Sequence, residues 1–98
     1  MDPTIAVAEA RVFLPTALAE RTGGQRMVTA AGGSVGELIA ALDARYPGLG
    51  FHLCYETGEL RPFVNIFVNG ANVRYLRGLE TAVPPGASVT ILPSVAGG

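Results

Sequence analysis

The sequence predicts a single α+β domain in which one helix covers one face of a small sheet. Three observations predict it: one segment with helical periodicity, several short β-branched segments, and glycine, proline or asparagine turn signals between them. The predicted order is β-β-α-β-β-β, with two strands before the helix and three after it. A chain of 98 residues with 49% hydrophobic residues is long enough for one modest core.

The first two strands are predicted to form a hairpin with a long connection. Residues 4–14 are rich in apolar and β-branched side chains, and Pro15 closes this strand. Residues 22–24, Thr-Gly-Gly, are a turn signal, and residues 25–29 follow as the second strand. The Ala-Gly-Gly sequence at 31–33 ends that strand.

The helix has the strongest local signal in the chain. Ser34 followed three residues later by Glu37 has the form of a capping box. Apolar residues then recur at helical spacing, namely Val35, Leu38, Ile39, Leu42 and Tyr46. Pro47 ends the helix, and Asp43 and Arg45 fall off the apolar stripe, so we expect both in solvent.

The segment after the helix changes from irregular to strongly strand-like. Residues 48–62 show no clean period and are predicted to be a loop with at most one irregular turn. Residues 63–68 alternate, with Val64, Ile66 and Val68 on one face and Phe63, Asn65 and Phe67 on the other. The sheet should therefore resume at this strand.

The last two strands follow clear turn signals. Asn69-Gly70 predicts a tight hairpin, with residues 72–75 as a short strand and residues 76–83 as a compact connection. A Pro-Pro-Gly turn at 84–86 precedes the final strand, residues 88–92. Regular pairing is expected to stop at Pro93, which has no N–H to donate.

One helix leaves the other sheet face uncovered, and that face carries Phe67 and Leu92. Clustered exposed apolar side chains mark interaction surfaces. We therefore expect this face to bind a partner.

Composition excludes several classes of function. The net charge of −1 gives no electrostatic case for nucleic acid or for an anionic membrane. No window is apolar enough to span a membrane, and the early Asp2 is unlike a signal peptide, so a cytoplasmic protein is expected. All seven basic residues are arginines. A single cysteine, Cys54, excludes a disulfide framework and a cysteine-ligated iron–sulfur cluster.

The sequence contains no residue pattern that is typical of a metal site, a nucleophilic site or a phosphate-binding loop. His52, Cys54 and Glu56 lie close in sequence, but a metal site needs three or four organised ligands, and Asp43 or Glu59 would have to be recruited. Cys54 is interpreted as a small buried hydrophobe. The glycine-rich residues 31–34 precede a helix, but a chain without lysine cannot form a Walker motif. No metal and no bound cofactor are expected.

The C-terminal residues carry the one unhindered reactive group. Residues 93–98 can extend by about 20 Å, and Gly97 and Gly98 lack the Cβ that would block a narrow channel. A terminal carboxylate is inert until an enzyme adenylates it with ATP, after which a thiol, persulfide or amine can attack. We therefore expect a domain over residues 1–92, a tail over residues 93–98, and a protein that is a substrate rather than a catalyst.

Four segments resemble a known family: TGGQ at 22–25, FVNIFVN at 63–69, NVR at 72–74 and VTILPSVAGG at 89–98. The chain resembles the β-grasp, ubiquitin-like sulfur carriers, such as the molybdopterin synthase small subunit and the thiamine-pathway carrier. The resemblance is strongest to the actinobacterial carriers of cysteine biosynthesis, and it runs from about residue 11 to the end. It implies a mixed sheet of four to five strands with one packed helix.

The resemblance also implies a reaction and its partners. Gly98 would be adenylated by a ubiquitin-activating-type adenylyltransferase that consumes ATP, then converted to a thiocarboxylate that donates sulfur to a biosynthetic enzyme. In the cysteine carriers that enzyme is a pyridoxal-phosphate cysteine synthase, and a metalloprotease releases the product. Phe67 and Leu92 resemble the docking patch, and Phe13 joins it if it faces the same way. Pro93, Val95, Ala96 and Gly97 would lie in the partner's channel.

Two alternatives use the same residues. The protein could be a modifier that is joined through Gly98 to lysines of other proteins, since only the attacking nucleophile differs. It could also be a binding module in which Gly-Gly is incidental. Cysteine, molybdopterin, thiazole and a secondary metabolite are all open as products, and processing could be needed to expose Gly98.

Overall fold

A computed structural model describes residues 9–93 of the chain. The strands of this part are β1 (Ala10–Phe13), β2 (Met27–Ala30), β3 (Val64–Val68), β4 (Ala71–Asn72) and β5 (Ser88–Pro93). The α-helices are α1 (Thr16–Ala19), α2 (Val35–Arg45) and α3 (Leu49–Leu53), and 3₁₀ turns cover Glu20–Thr22, Val73–Tyr75 and Gly78–Glu80.

The five strands form one mixed sheet in the order β2-β1-β5-β3-β4. The two strands most distant in sequence, β1 and β5, pair in parallel at its centre. The other neighbours are antiparallel, including the predicted hairpin of β1 and β2. The structure thereby confirms the predicted mixed sheet with one main helix packed on it.

Helix α2 begins and packs as predicted. The Ser34 Oγ accepts a hydrogen bond from the Glu37 N–H at 3.2 Å, and the Glu37 carboxylate accepts one from the Gly33 N–H at 2.9 Å. The first contact satisfies an N–H group that the first helical turn leaves free, and the second ties the residue before the N-cap to that turn. The helix buries Val35, Leu38, Ile39 and Leu42 in a core cluster that includes Val12, Ile66, Val89 and Ile91 of the sheet. One sheet face is thus covered.

The predicted loop over residues 48–62 is wrong at its start, where the chain forms α3. Leu49 and Leu53 are fully buried on one side of this helix. The helix is only five residues long, too short to show a helical period in the sequence. Its stability therefore comes from tertiary contacts rather than from its own pattern.

Asp43 supports the beginning of α3, so the expectation that it lies free in solvent is wrong. Its Oδ1 accepts hydrogen bonds from the Gly48 N–H at 3.2 Å and the Gly50 N–H at 2.9 Å, and the side chain is half-buried. Arg45 is exposed as expected, but its guanidinium donates to the Thr29 carbonyl of the edge strand β2 at 2.8 Å. Asp43 and Arg45 of α2 thus each support a neighbouring element.

Replacing Asp43 by alanine is expected to destabilise the protein by about 1–2 kcal/mol, because two backbone N–H groups at the start of α3 lose their acceptor. Asp43→Asn keeps an acceptor oxygen and should cost clearly less. Urea unfolding of both variants measures the difference. Equal losses for the two variants would show that the hydrogen bonds are not the cause.

The second half of the sheet differs from prediction in two places. The tight turn is confirmed, with positive φ at Asn69 (49°) and Gly70 (89°). Strand β4, however, ends at Asn72, whose Oδ1 caps a 3₁₀ turn by accepting from the Arg74 N–H. Strand β5 continues one residue beyond the prediction, because Pro93 lies opposite Val64.

Arg74 compensates for the short β4. Its Nη2 donates to the carbonyls of Arg61 and Val64, each at 2.6 Å. These carbonyls lie beyond the two-residue β4, where β3 has no strand partner on that side. The arginine thus holds the start of β3 in place beside the end of β5.

Candidate functional site

The sheet face opposite α2, called the open face below, gathers apolar side chains from three strands. Thr90 of β5 lies opposite Phe13 of β1 on one side and opposite Phe67 of β3 on the other. Leu92 lies two residues further along β5 and therefore on the same face. A diagonal pair such as Phe67 and Leu92 is about 7–8 Å apart, within reach of large side chains. The structure thus brings Phe13, Phe67 and Leu92 together.

Met27 extends this cluster to the edge of the sheet. It lies opposite Phe13 in the β1–β2 pairing and is 45% exposed. Leu92 is also 45% exposed and Phe13 37%, whereas Phe67 is half-buried. We call Phe13, Met27, Phe67 and Leu92 the apolar patch. Sequence reasoning missed Met27, because its position depends on the register between β1 and β2.

The end of β5 leads out of the apolar patch. Leu92 and the exposed Pro93 are the last two residues that the structure describes, and Pro93 ends the pairing with β3. The predicted tail residues Val95, Ala96, Gly97 and Gly98 lie outside the described residues. The described part of the chain therefore ends beside the apolar patch.

A shallow depression crosses the open face beside Leu92. Phe13, Arg26, Thr90 and Leu92 contribute to its lining. On the other side of the β5 end, His52 and Leu53 of α3 line a second depression together with Leu92 and Pro93. The end of β5 therefore has an apolar surface on both sides.

The residues considered for metal binding are not brought together. His52 is exposed on α3 and packs edge-on against the Phe51 ring, with 6.2 Å between ring centroids. Glu56 and Glu59 are exposed in the following loop, and Asp43 is used at the start of α3. Within residues 9–93, no three His, Cys, Asp or Glu side chains form a group that could hold a metal ion.

The glycine-rich stretch before α2 is occupied by local contacts. The Gly33 N–H and the Ser34 side chain both bond to Glu37. At Gly32 a Cβ would lie 2.7 Å from the Leu38 backbone nitrogen, so this glycine is needed for close packing. The stretch serves the helix start, in agreement with the N-cap interpretation.

Cys54 lies half-buried after α3, and burial raises the pKa of its thiol, an effect that nearby Arg61 partly offsets. The Arg61 guanidinium itself stacks on Phe51 at 4.7 Å and on Tyr55 at 4.6 Å from the ring centroids. A raised pKa disfavours the thiolate, which is the nucleophilic form. This environment suits a structural cysteine.

Cys54 is expected to react with iodoacetamide severalfold more slowly than free cysteine near neutral pH. The rate should rise with pH through a pKa above the ordinary value. Arg61→Gln removes the charge that lowers this pKa and should slow the reaction further. Mass-spectrometric labelling rates across pH check both expectations. Faster labelling in Arg61→Gln would show that access, rather than the pKa, controls the rate.

The mixed five-stranded sheet, the helix packed on it and the match to solved structures define a ubiquitin-like protein of the β-grasp class. The model of the ThiS family matches residues 12–98, which is most of the chain. The chain belongs to the ThiS family. No helix among residues 9–93 has the length and apolarity needed to cross a membrane.

Relatives within this class are named as carriers and modifiers. The sulfur carrier protein CysO of Mycobacterium tuberculosis is 48% identical over 89 residues, which cover 89% of this chain and 96% of that protein. CysO of Amycolatopsis orientalis, solved in complex with BexX, is 42% identical with a TM-score of 0.84, over 91% of this chain and 99% of its own. Small archaeal modifier protein 1 of Methanosarcina acetivorans is 32% identical with a TM-score of 0.80, over 95% and 99% of the two chains.

Proposed function

We propose that this protein is a sulfur carrier whose Gly98 is adenylated and then converted to a thiocarboxylate. The observation that carries the proposal is the continuity between the apolar patch and the terminus. The strand that presents Leu92 on the open face continues into Pro93, and only five residues separate Pro93 from the Gly98 carboxylate. The 48% identity to a named sulfur carrier favours sulfur as the cargo.

In the proposed reaction this chain is the substrate, and the partner enzymes supply the catalytic groups. Attack of the Gly98 carboxylate on the α-phosphate of ATP forms an acyl adenylate and releases pyrophosphate. A sulfide equivalent then displaces AMP and leaves the thiocarboxylate, whose sulfur is transferred to a biosynthetic acceptor. Gly97 and Gly98 contribute by having no side chain, since a Cβ would obstruct a narrow channel. The activated residue is Gly98 whether it is terminal from synthesis or exposed by processing.

The folded domain contributes recognition. Phe13, Phe67 and Leu92 would bury their remaining exposed apolar area against the enzyme, and because each is already partly buried, each would contribute on the order of 1 kcal/mol. The binding partners would be an adenylyltransferase of the ubiquitin-activating type and a sulfur-accepting enzyme. The complex of a 42% identical relative with a second protein supports the use of this fold as a docking unit. Hydrolytic release of a product from Gly98 by a metalloprotease would complete the cycle.

Intact mass spectrometry of the protein isolated from its native cells tests the proposal. Exchange of one oxygen for sulfur at the terminal carboxylate adds about 16 Da, and fragment ions should place the added mass on Gly98. Alkylation of the thiocarboxylate distinguishes this species from oxidised methionine, which has a similar mass. Absence of the alkylatable species under all growth conditions, together with no adenylation of Gly98 by the organism's adenylyltransferase, would refute the proposal.

A second candidate is protein modification through Gly98. The 32% identity to an archaeal modifier protein over 95% of this chain favours it, and the activation step is the same. In that case, proteomic digests should contain lysines of other proteins that carry a remnant of this chain. A lysine-free sequence excludes lysine-linked chains of this protein on itself. Conjugates without any thiocarboxylate would favour this second function.

A further inference from the structure

Arg11 carries the one charged side chain in the five strands formed by residues 9–93. It lies on the open face, two residues before Phe13 on β1, and its side chain is exposed. Its Nη2 donates a hydrogen bond to the Ser88 Oγ at 2.9 Å, directly across the β1–β5 pairing. This contact holds the guanidinium over the middle of the sheet, next to the apolar patch.

The positive charge of Arg11 is not neutralised within the described part of the chain. Among residues 9–93, the acidic and basic side chains that form an ion pair are Arg77 and Glu80, at 3.3 Å. Arg11 forms none with an acidic side chain of this part of the chain. Glu9, which immediately precedes β1, is the nearest acid in sequence, but it is not within ion-pair distance of Arg11. The acids of α2, Glu37 and Asp43, are on the helix that covers the other side of the sheet.

A second cation lies at the opposite end of the apolar patch. Arg26 precedes β2 and helps to line the depression that contains Phe13 and Leu92. The apolar patch therefore lies between two arginines, and the described strands that form it contain no carboxylate side chain. A net charge of −1 for the whole chain makes this face positive against a slightly negative background.

We propose that the open face binds the adenylyltransferase, at a surface on which a carboxylate pairs with Arg11 beside an apolar area that covers the patch. This inference rests on the proposed carrier function and adds the chemistry of the partner. A guanidinium has five N–H donors in a planar fork that matches a carboxylate, and the Ser88 contact uses one of them. Burial of the adjacent apolar patch removes water and strengthens the pair.

A single exposed arginine also affects the rate of encounter. Opposite charges on two docking surfaces raise the association rate, and this gain falls as salt screens the charges. The apolar contacts are not screened by salt in this way. The proposal therefore separates two measurable roles: the charge of Arg11 raises the association rate, whereas the planar fork of its guanidinium and the apolar patch slow dissociation.

The test uses the full chain and the adenylyltransferase of the same organism in stopped-flow binding at low and at moderate salt. Arg11→Gln should slow association about tenfold at low salt, and Arg11→Glu should slow it further. Both variants should flatten the salt dependence. Arg11→Lys should keep the association rate and the salt dependence, but it should dissociate faster because a lysine lacks the fork. Arg77→Gln is the matched control and should behave as wild type.

The test distinguishes failure of the Arg11 inference from failure of the proposed carrier function. If the wild-type protein is adenylated, the inference is overturned by an Arg11→Glu variant that melts normally and keeps the wild-type association rate and salt slope. If the wild-type protein is neither bound nor adenylated, the proposed function fails together with the inference. A wild-type dimer that dissociates in Arg11→Glu would instead assign the open face to a second copy of the chain.

Discussion

Addition of one alanine after Gly98 is expected to lower the rate of adenylation by at least about 100-fold without affecting the fold. The extra residue moves the carboxylate by about 3.3–3.6 Å and adds a Cβ at a position where the proposed partner channel would accept only glycine. A displacement of about 1 Å in a reacting group can already cost about 100-fold. ATP–pyrophosphate exchange with the purified adenylyltransferase measures the rate.

The matched control keeps the length of the tail and changes only its last side chain. Gly98→Ala leaves the carboxylate at the same distance from Pro93 and adds one methyl group. A smaller loss for Gly98→Ala than for the extended chain would show that tail length dominates the effect. Intact mass before and after the assay verifies that the added residue has not been removed. Normal adenylation of the intact extended chain would contradict the assignment of Gly98.

Leu92→Asp is expected to weaken binding to the adenylyltransferase by about 100-fold. Leu92 is 45% exposed at the end of the apolar patch, and burial of this exposed part in a complex contributes about 1 kcal/mol. An aspartate at this position would also place a charge in a desolvated contact, which is costly without a partner. Calorimetric titration of the variant against the enzyme measures the loss of affinity.

Leu76→Asp provides a control with the same substitution at a similarly exposed leucine. Leu76 is 52% exposed and follows the 3₁₀ turn after β4. From there the chain runs towards the start of α2, where the Thr81 carbonyl accepts a hydrogen bond from the Val35 N–H. Leu76→Asp should therefore bind like wild type. Equal losses in both variants would indicate a general effect of the added charge and would remove Leu92 from the docking surface.

The sequence-based predictions succeeded where one local interaction controls the structure. The capping box of Ser34 and Glu37 could be predicted because its two residues are only three positions apart in the sequence. The turn at Asn69 and Gly70 was readable because both residues tolerate positive φ. The alternation of Val64, Ile66 and Val68 placed Phe67 on the opposite face, because successive side chains of a strand point to opposite sides of the sheet.

The failures concern residues whose conformation depends on distant parts of the chain. Helix α3 exists because Leu49 and Leu53 enter a core formed by other elements and because Asp43 caps its start. Asn72 ends β4 by capping the turn that carries Val73 into the core. Neither contact leaves a periodic pattern in the sequence, so segments of two to five residues were misassigned.

The sequence by itself determined the α+β class and the family resemblance, because these depend on composition, periodicity and short motifs. Only the tertiary structure decided which side chains share the open face. The parallel pairing of β1 with β5 places Phe13 opposite Thr90, and the β3–β5 pairing places Phe67 on the other side of it. Register between strands far apart in the chain is fixed by packing of the whole core. That same register brings Arg11 next to Ser88 and gives the open face its charge.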